Sequence, residues 1–161
     1  MRIVHKEHVR WTHPSIHALA GQRDPVAVIT ERARNVVERA TQDGWSGPPF
    51  DPFQLAERLG ITVTPREDLL DARILAEAAG RFHIEYNPLR PKARVRYSLA
   101  HEIAHTLFPD CAKETRHRLK ASTLRGDDWQ LELLCNLGAA EILMPRGSFA
   151  ELRRTDLSRH D

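Results

Sequence analysis

Two histidines and a glutamate in the segment SLAHEIAHTLF, residues 98–108, have the spacing of a metal site. His101 and His105 are four residues apart, so on a helix both side chains project from one face and can bind the same ion. Glu102 is rotated by about 100° from His101 on such a helix. It flanks the ion without having to bind it, and its carboxylate can accept a proton from activated water. The H-E-x-x-H pattern therefore predicts the chemistry of a zinc hydrolase.

A catalytic zinc ion usually has three protein ligands and one open position, so one ligand is still to be found. Cys111 lies six residues after His105, where some H-E-x-x-H proteases have their third ligand, and Asp110 precedes it. The turn in those proteases requires a glycine where this chain has Phe108, and a permanent thiolate ligand would be unusual there. Cys111 and Asp110 are therefore the less favoured alternative.

The next long predicted helix, Trp129 to Met144, carries the third ligand that we favour. Glu132 lies in its first turns, and two histidines from one helix with a glutamate from the next form the ligand set of thermolysin-type enzymes. Asn136 lies one turn further along the same face. Its side-chain oxygen can accept a hydrogen bond from a ligand histidine and fix the tautomer of that ring. Ala139 continues this face and would let the two helices approach closely.

The helices that must position these groups begin at recognisable signals. Asp24-Pro25 and Asp51-Pro52 each combine a capping carboxylate with a proline at the first helical position. Ser98 is a predicted N-cap for the motif helix. Residues 110–128 are polar and are predicted to connect that helix to the next without a helix of their own.

The strands follow from alternation of apolar and polar residues. Residues 61–64 and 82–86 are predicted strands. Residues 73–78 are ambiguous, and we predict that they are extended and form a hairpin with 82–86. The order of elements predicts an α+β fold, with a small antiparallel sheet beside the helices.

The length of 161 residues suits one domain with its own core. Residues 1–23 show no clear period although they hold four histidines. We predict that they form an irregular N-terminal arm, followed by a single domain over residues 24–161.

Composition excludes several classes of function. The net charge of +2 gives no argument for direct binding of nucleic acid, and no apolar run approaches the roughly 20 residues of a membrane span. The N-terminus lacks the apolar core of a signal peptide. Two cysteines are too few for a disulfide framework and predict a cytoplasmic protein.

Two segments, RVRYSLAHEIAHTLF (94–108) and ELLCNLGAAEILMP (132–145), resemble the signature segments of ImmA/IrrE-type metallopeptidases. DPFQLAERLGITV (51–63) and IEYNP (84–88) are similar to the upstream pattern of that family. The second signature segment departs from the family at one position, because Gly138 stands where phenylalanine is common.

The resemblance implies a zincin-like metallopeptidase domain in which His101, His105 and Glu132 bind one Zn²⁺ and Glu102 is the base. It also implies a zinc-dependent endopeptidase that cleaves a protein partner, a helix-turn-helix regulator in a stress, mobile-element or phage-related circuit. Members often continue past the Leu-Met-Pro segment, so further C-terminal parts are either missing from this chain or naturally absent.

Two questions stay open from the sequence. A donor for the oxyanion of the reaction has three candidates, Tyr86, Tyr97 and His117. The alternative function is a metal-containing binding module that recognises a repressor or antitoxin without cutting it. The intact Glu102 favours an enzyme.

Overall fold

The computed structural model describes residues 9–120 and 125–147, and within these ranges the chain forms an α+β fold, as predicted. Six helices are present in the described ranges: α1 (Pro14–Ala20), α2 (Pro25–Gln42), α3 (Pro52–Arg58), α4 (Lys92–His105), α5 (Cys111–Lys120) and α6 (Asp128–Leu143). Three strands accompany them: β1 (Thr62–Pro65), β2 (Ala72–Ala76) and β3 (Phe82–Tyr86).

The sheet has the strand order β1-β3-β2. Strands β2 and β3 form the predicted antiparallel hairpin, with Ile74 opposite Ile84, and the connection turns at Ala79 and Gly80, which both have positive φ. Strand β1 runs parallel to β3, with Val63 opposite Ile84. The prediction of a purely antiparallel sheet is therefore wrong, and the sheet is mixed. Alternation identifies a strand and its buried face, but it does not encode which neighbour the strand pairs with.

Helices α2 and α3 begin where the sequence predicted. The Asp24 side chain accepts hydrogen bonds from the backbone N–H groups of Val26 and Ala27, both at 3.3 Å. The Asp51 side chain accepts one from Phe53 at 2.9 Å. Each carboxylate satisfies backbone donors that have no partner within the helix.

The N-terminal segment is not the irregular arm that we predicted. Residues 14–20 form α1, and Ile16 and Leu19 of this helix belong to the hydrophobic core. His13 caps the helix, because its Nδ1 accepts a hydrogen bond from the backbone N–H of Ser15 at 3.2 Å. A helix of seven residues spans only two turns, so it is too short to show a period in the sequence. Residues 1–8 of the predicted arm lie outside the described residues.

The helices next to the motif also differ from the prediction. Helix α4 begins at Lys92, so Ser98 is a buried interior residue of the helix and not its N-cap. The polar stretch after the motif contains α5, whose buried side chains are only Cys111 and Thr115. An amphipathic period needs several apolar residues, and α5 has too few to be recognised.

Helices α4 and α6 pack against each other at the centre of the core. The face of α4 contributes Leu99 and Ile103, and α6 contributes Leu134 and Ile142, all fully buried. Gly138 on α6 faces Ala104 on α4 so closely that a Cβ at position 138 would lie 3.0 Å from the Cβ of Ala104. The absence of a side chain at this position allows the two helices to approach. Among the described residues, no helix is both long enough and apolar enough to cross a membrane.

Replacing Gly138 by leucine is expected to lower the free energy of unfolding by about 1–3 kcal/mol, because the new side chain overpacks the contact between α4 and α6. Chemical denaturation measures this loss. Gly126→Leu is the matched control, since a Cβ at that position meets no atom of the described residues within 4 Å. Equal stabilities of the two variants would contradict the close approach of the helices.

Candidate metal centre

Three side chains from α4 and α6 converge at the end of the motif helix. The Nε2 atom of His101 lies 2.8 Å from Oε2 of Glu132, and Nε2 of His105 lies 3.7 Å from Oε1 of the same carboxylate. The rings of the two histidines are 5.1 Å apart between centroids. The packing of α6 on α4 thus brings Glu132 against both histidines, although 27 residues separate it from the nearer one in the chain.

Asn136 contacts the ring nitrogen of His101 that does not face Glu132. Its side-chain oxygen accepts a hydrogen bond from Nδ1 of His101 at 2.8 Å and one from the hydroxyl of Tyr97 at 2.6 Å. With a hydrogen on Nδ1, the Nε2 atom of His101 is the one that faces the carboxylate. Asn136 therefore makes the contact that the sequence suggested for it, and it fixes which nitrogen faces Glu132.

The two histidines differ in protonation because their surroundings differ. Burial lowers the pKa of His105 to about 3, so this ring stays neutral and keeps a lone pair. Burial also lowers the pKa of His101, but its hydrogen bonds to Glu132 and Asn136 and the charges of Glu102 and Glu132 together outweigh burial and raise the pKa. Burial alone would raise the pKa of Glu132; its hydrogen bond with His101 and the nearby charges lower it to about 2. The carboxylate is therefore ionised beside the histidines.

Glu102 also lies next to the two histidines. Its carboxylate, with His101 and His105, presents ligand atoms that all lie within 4.8 Å of one another. Burial raises the pKa of Glu102 to about 7, and the charge of His101 opposes this shift. A carboxyl group with a pKa near neutrality can accept a proton and return it.

The donor set fits a zinc ion. Two imidazole nitrogens and one carboxylate are ligands that zinc prefers, and bonds of about 2.0–2.1 Å in a tetrahedron separate neighbouring donors by about 3.3 Å. Oε2 of Glu132 lies 2.8 Å from Nε2 of His101 and Oε1 lies 3.7 Å from Nε2 of His105, so each carboxylate oxygen approaches one histidine at a distance near that value.

A cleft crosses this group of residues. A cavity of about 310 Å³ extends towards α5, and a second cavity of about 260 Å³ extends towards Tyr97 and Arg94. Both cavities are lined by Ala72, Glu102 and Glu132. The candidate metal site therefore lies between two open spaces beside β2, which forms one edge of the sheet.

The remaining candidates from the sequence lie in different places. Tyr97 lines the smaller cavity, but its hydroxyl already donates to Asn136. Tyr86 packs edge-on against Phe53 and His117 is exposed on α5, so both lie outside these two cavities.

The alternative third ligands and a further glutamate on α6 have other partners. Burial raises the pKa of the Cys111 thiol to about 12, so it is not the thiolate that a metal needs. Asp110 accepts a hydrogen bond from Ser15 at 2.8 Å. Glu141 lies against α2, where its carboxylate is 3.4 Å from Arg34.

A second group, His13, Asp127 and Asp128, also brings possible ligand atoms together. The Nδ1 atom of His13 accepts a hydrogen bond from Ser15, so its hydrogen is on Nε2, which points to Asp128 Oδ1 at 3.2 Å. Asp127 pairs with Arg125 at 3.1 Å. With its lone pair used and its hydrogen donated, His13 joins the N-terminal segment to α6 and is not a ligand.

The sequence analysis missed Arg118. This residue of α5 lines the larger cavity, and its Nη2 lies 2.8 Å from Oε1 of Glu132. Its spacing of four residues from Glu114 was a usable signal for an ion pair within a helix. Its partner on α6 was not recognisable, because the relative placement of α5 and α6 has no local signature.

A scan of known family models and a search of curated proteins found no match to this chain.

Replacing Asn136 by leucine is expected to weaken zinc binding by about 10- to 100-fold, because His101 loses the hydrogen bond that orients its ring. Competition with a chromophoric chelator measures the Kd. Tyr97→Phe is the control, since it removes the other hydrogen bond to the same oxygen and leaves the histidine contact intact. Equal affinities in the two variants would show that Asn136 does not orient the ring.

The second group is expected to matter for stability and not for metal. His13→Ala leaves Asp128 without its buried partner and should lower the free energy of unfolding by about 1–3 kcal/mol. Metal analysis should still find one ion per chain. Loss of a bound ion in this variant would contradict the structural role of His13.

Proposed function

We propose that this protein is a zinc-dependent endopeptidase whose metal ligands are His101, His105 and Glu132. The observation that carries the proposal is the position of Glu102, which lines both halves of the cleft beside the three ligand side chains. A base next to a three-ligand site with room on both sides is the arrangement that metal-assisted hydrolysis requires.

The two cavities favour cleavage within a chain over removal of a terminal residue. A peptide that crosses the site has space for residues before the scissile bond in one cavity and after it in the other. Strand β2 lies at the edge of the sheet, and its residue Ala72 lines both cavities. An extended substrate can therefore lie beside β2 while its scissile bond faces Glu102.

Each residue of the site would have a distinct role in the reaction. When bound, zinc supplies Lewis-acid activation of water and of the substrate carbonyl. The Glu102 carboxylate accepts a proton from the attacking water and later donates it to the amide nitrogen that leaves. Asn136 keeps His101 in the tautomer that binds a metal through Nε2.

The resemblance to ImmA/IrrE-type metallopeptidases also bears on the fold of the chain and on the protein that it cleaves. It favours a zincin-like fold, and it favours a helix-turn-helix regulator as the protein that is cleaved. A cytoplasmic location agrees with the two buried free cysteines, Cys111 and Cys135.

Glu102→Gln is expected to reduce cleavage by about 10²–10⁴-fold, because the amide cannot accept the proton. The measurement is co-expression with a candidate helix-turn-helix regulator, with mass spectrometry to detect a truncated product. Glu38→Gln, at an exposed position of α2, is the matched control and should cleave normally. Removal of the metal by a chelator should stop cleavage in the wild type, and added zinc should restore it.

The alternative, a binding module that does not cut its partner, makes a different prediction in the same experiment. Wild type and Glu102→Gln would then retain zinc and capture the regulator equally, and neither would yield a truncated product. That result would exclude the peptidase.

A further inference from the structure

Arg118 is the one arginine or lysine in contact with the proposed ligand carboxylate among the described residues. Its Nη2 atom lies 2.8 Å from Oε1 of Glu132, while Oε2 of the same carboxylate faces His101. The two carboxylate oxygens thus face different partners. A guanidinium on Oε1 restricts rotation of the carboxylate and leaves Oε2 directed at His101, while Oε1 also lies 3.7 Å from Nε2 of His105.

Arg118 also lies close to a second carboxylate, that of Glu114. Its Nε lies 3.5 Å from Oε1 of Glu114, one turn earlier on α5, and the same oxygen lies 3.8 Å from Nε2 of His13. The guanidinium therefore sits between two carboxylates, one on α5 and one on α6. Without it, Glu114 and Glu132 would face each other across the cavity with no cation between them.

The burial of the guanidinium argues against a solvated surface charge. The Nε and Nη2 atoms of Arg118 are inaccessible to solvent and have no well-directed hydrogen bond to any described residue, although both lie near carboxylate oxygens. Burying a guanidinium is costly unless opposite charges compensate it. The carboxylates thus stabilise the charge of Arg118.

We propose that Arg118 is a positioning residue for Glu132: it orients the carboxylate towards His101 and His105 before the metal binds, with Glu114 as its support. This inference rests on the metal site of the proposed function. Helix α5, which supplies no proposed ligand, would then contribute to metal affinity through α6. A preoriented ligand loses less conformational freedom when the ion binds, so its affinity is higher.

The test is the zinc affinity of the full chain. Arg118→Ala is expected to weaken zinc binding by about 10- to 100-fold, the usual range for residues that orient ligands. Arg118→Lys should recover part of this loss, because it keeps the charge and loses the planar fork. Arg116→Ala is the matched control: Arg116 is an exposed arginine of α5, and its guanidinium lies 3.5 Å from the Glu77 carbonyl oxygen and not at the site. This variant should bind zinc like the wild type.

A spectroscopic measurement separates positioning from a general loss of structure. The visible spectrum of the cobalt(II)-substituted protein reports ligand geometry, and it should change in Arg118→Ala and not in Arg116→Ala. Circular dichroism of the metal-free variants checks their folding. If Arg118→Ala does not fold, Glu114→Gln replaces it: removing the support of Arg118 should weaken zinc binding by less than Arg118→Ala is expected to, yet measurably.

The outcomes distinguish this inference from the peptidase proposal. Zinc affinity of Arg118→Ala equal to that of Arg116→Ala would overturn the inference, as would a wild type that binds no zinc. If neither wild type nor Glu102→Gln cleaves a regulator while Arg118→Ala still weakens zinc binding, the peptidase proposal fails and the positioning role stands. If the wild type cleaves and Arg118→Ala binds zinc normally, the positioning role fails alone.

Discussion

The candidate site depends on the close packing of α6 against α4. Gly138 faces Ala104 with no room for a larger side chain, so the backbones of the two helices approach closely. This approach brings Glu132, two turns earlier on α6, within 2.8 Å of the nearest nitrogen of His101. The same face of α6 carries Asn136, which contacts the other nitrogen of that ring. One helix thus supplies a candidate ligand and the group that orients another ligand.

The surrounding structure determines the charge of each group in the site. His105 is neutral because it is buried, whereas Glu132 is ionised because cationic and hydrogen-bonding partners surround it. The N-terminal segment takes part in this arrangement. The backbone N–H groups of Thr12 and His13 donate to Oε1 of Gln130 at 2.9 and 3.1 Å, just before Glu132 on α6. Residues distant in the chain therefore fix the start of the helix on which the proposed ligand lies.

Local patterns in the sequence were sufficient for much of this description. The spacing of His101 and His105, the aspartate caps of α2 and α3, and the alternation of apolar and polar residues over 82–86 are properties of a few consecutive residues. The α+β class and the β2–β3 hairpin followed from them. The parallel pairing of β1, the helix at the N-terminus and the role of Arg118 did not, because they depend on contacts between distant segments. Helix α5 was not predicted either, because its composition is polar and only two of its residues, Cys111 and Thr115, are buried.

The most direct test of the central claim is the position of a bound metal ion in crystals grown with zinc. Anomalous scattering at the zinc edge should show one ion within about 2.0–2.3 Å of Nε2 of His101, Nε2 of His105 and a carboxylate oxygen of Glu132. An ion bound by Cys111, or by His13 with Asp127 and Asp128, and without contact to Glu132, would contradict the account.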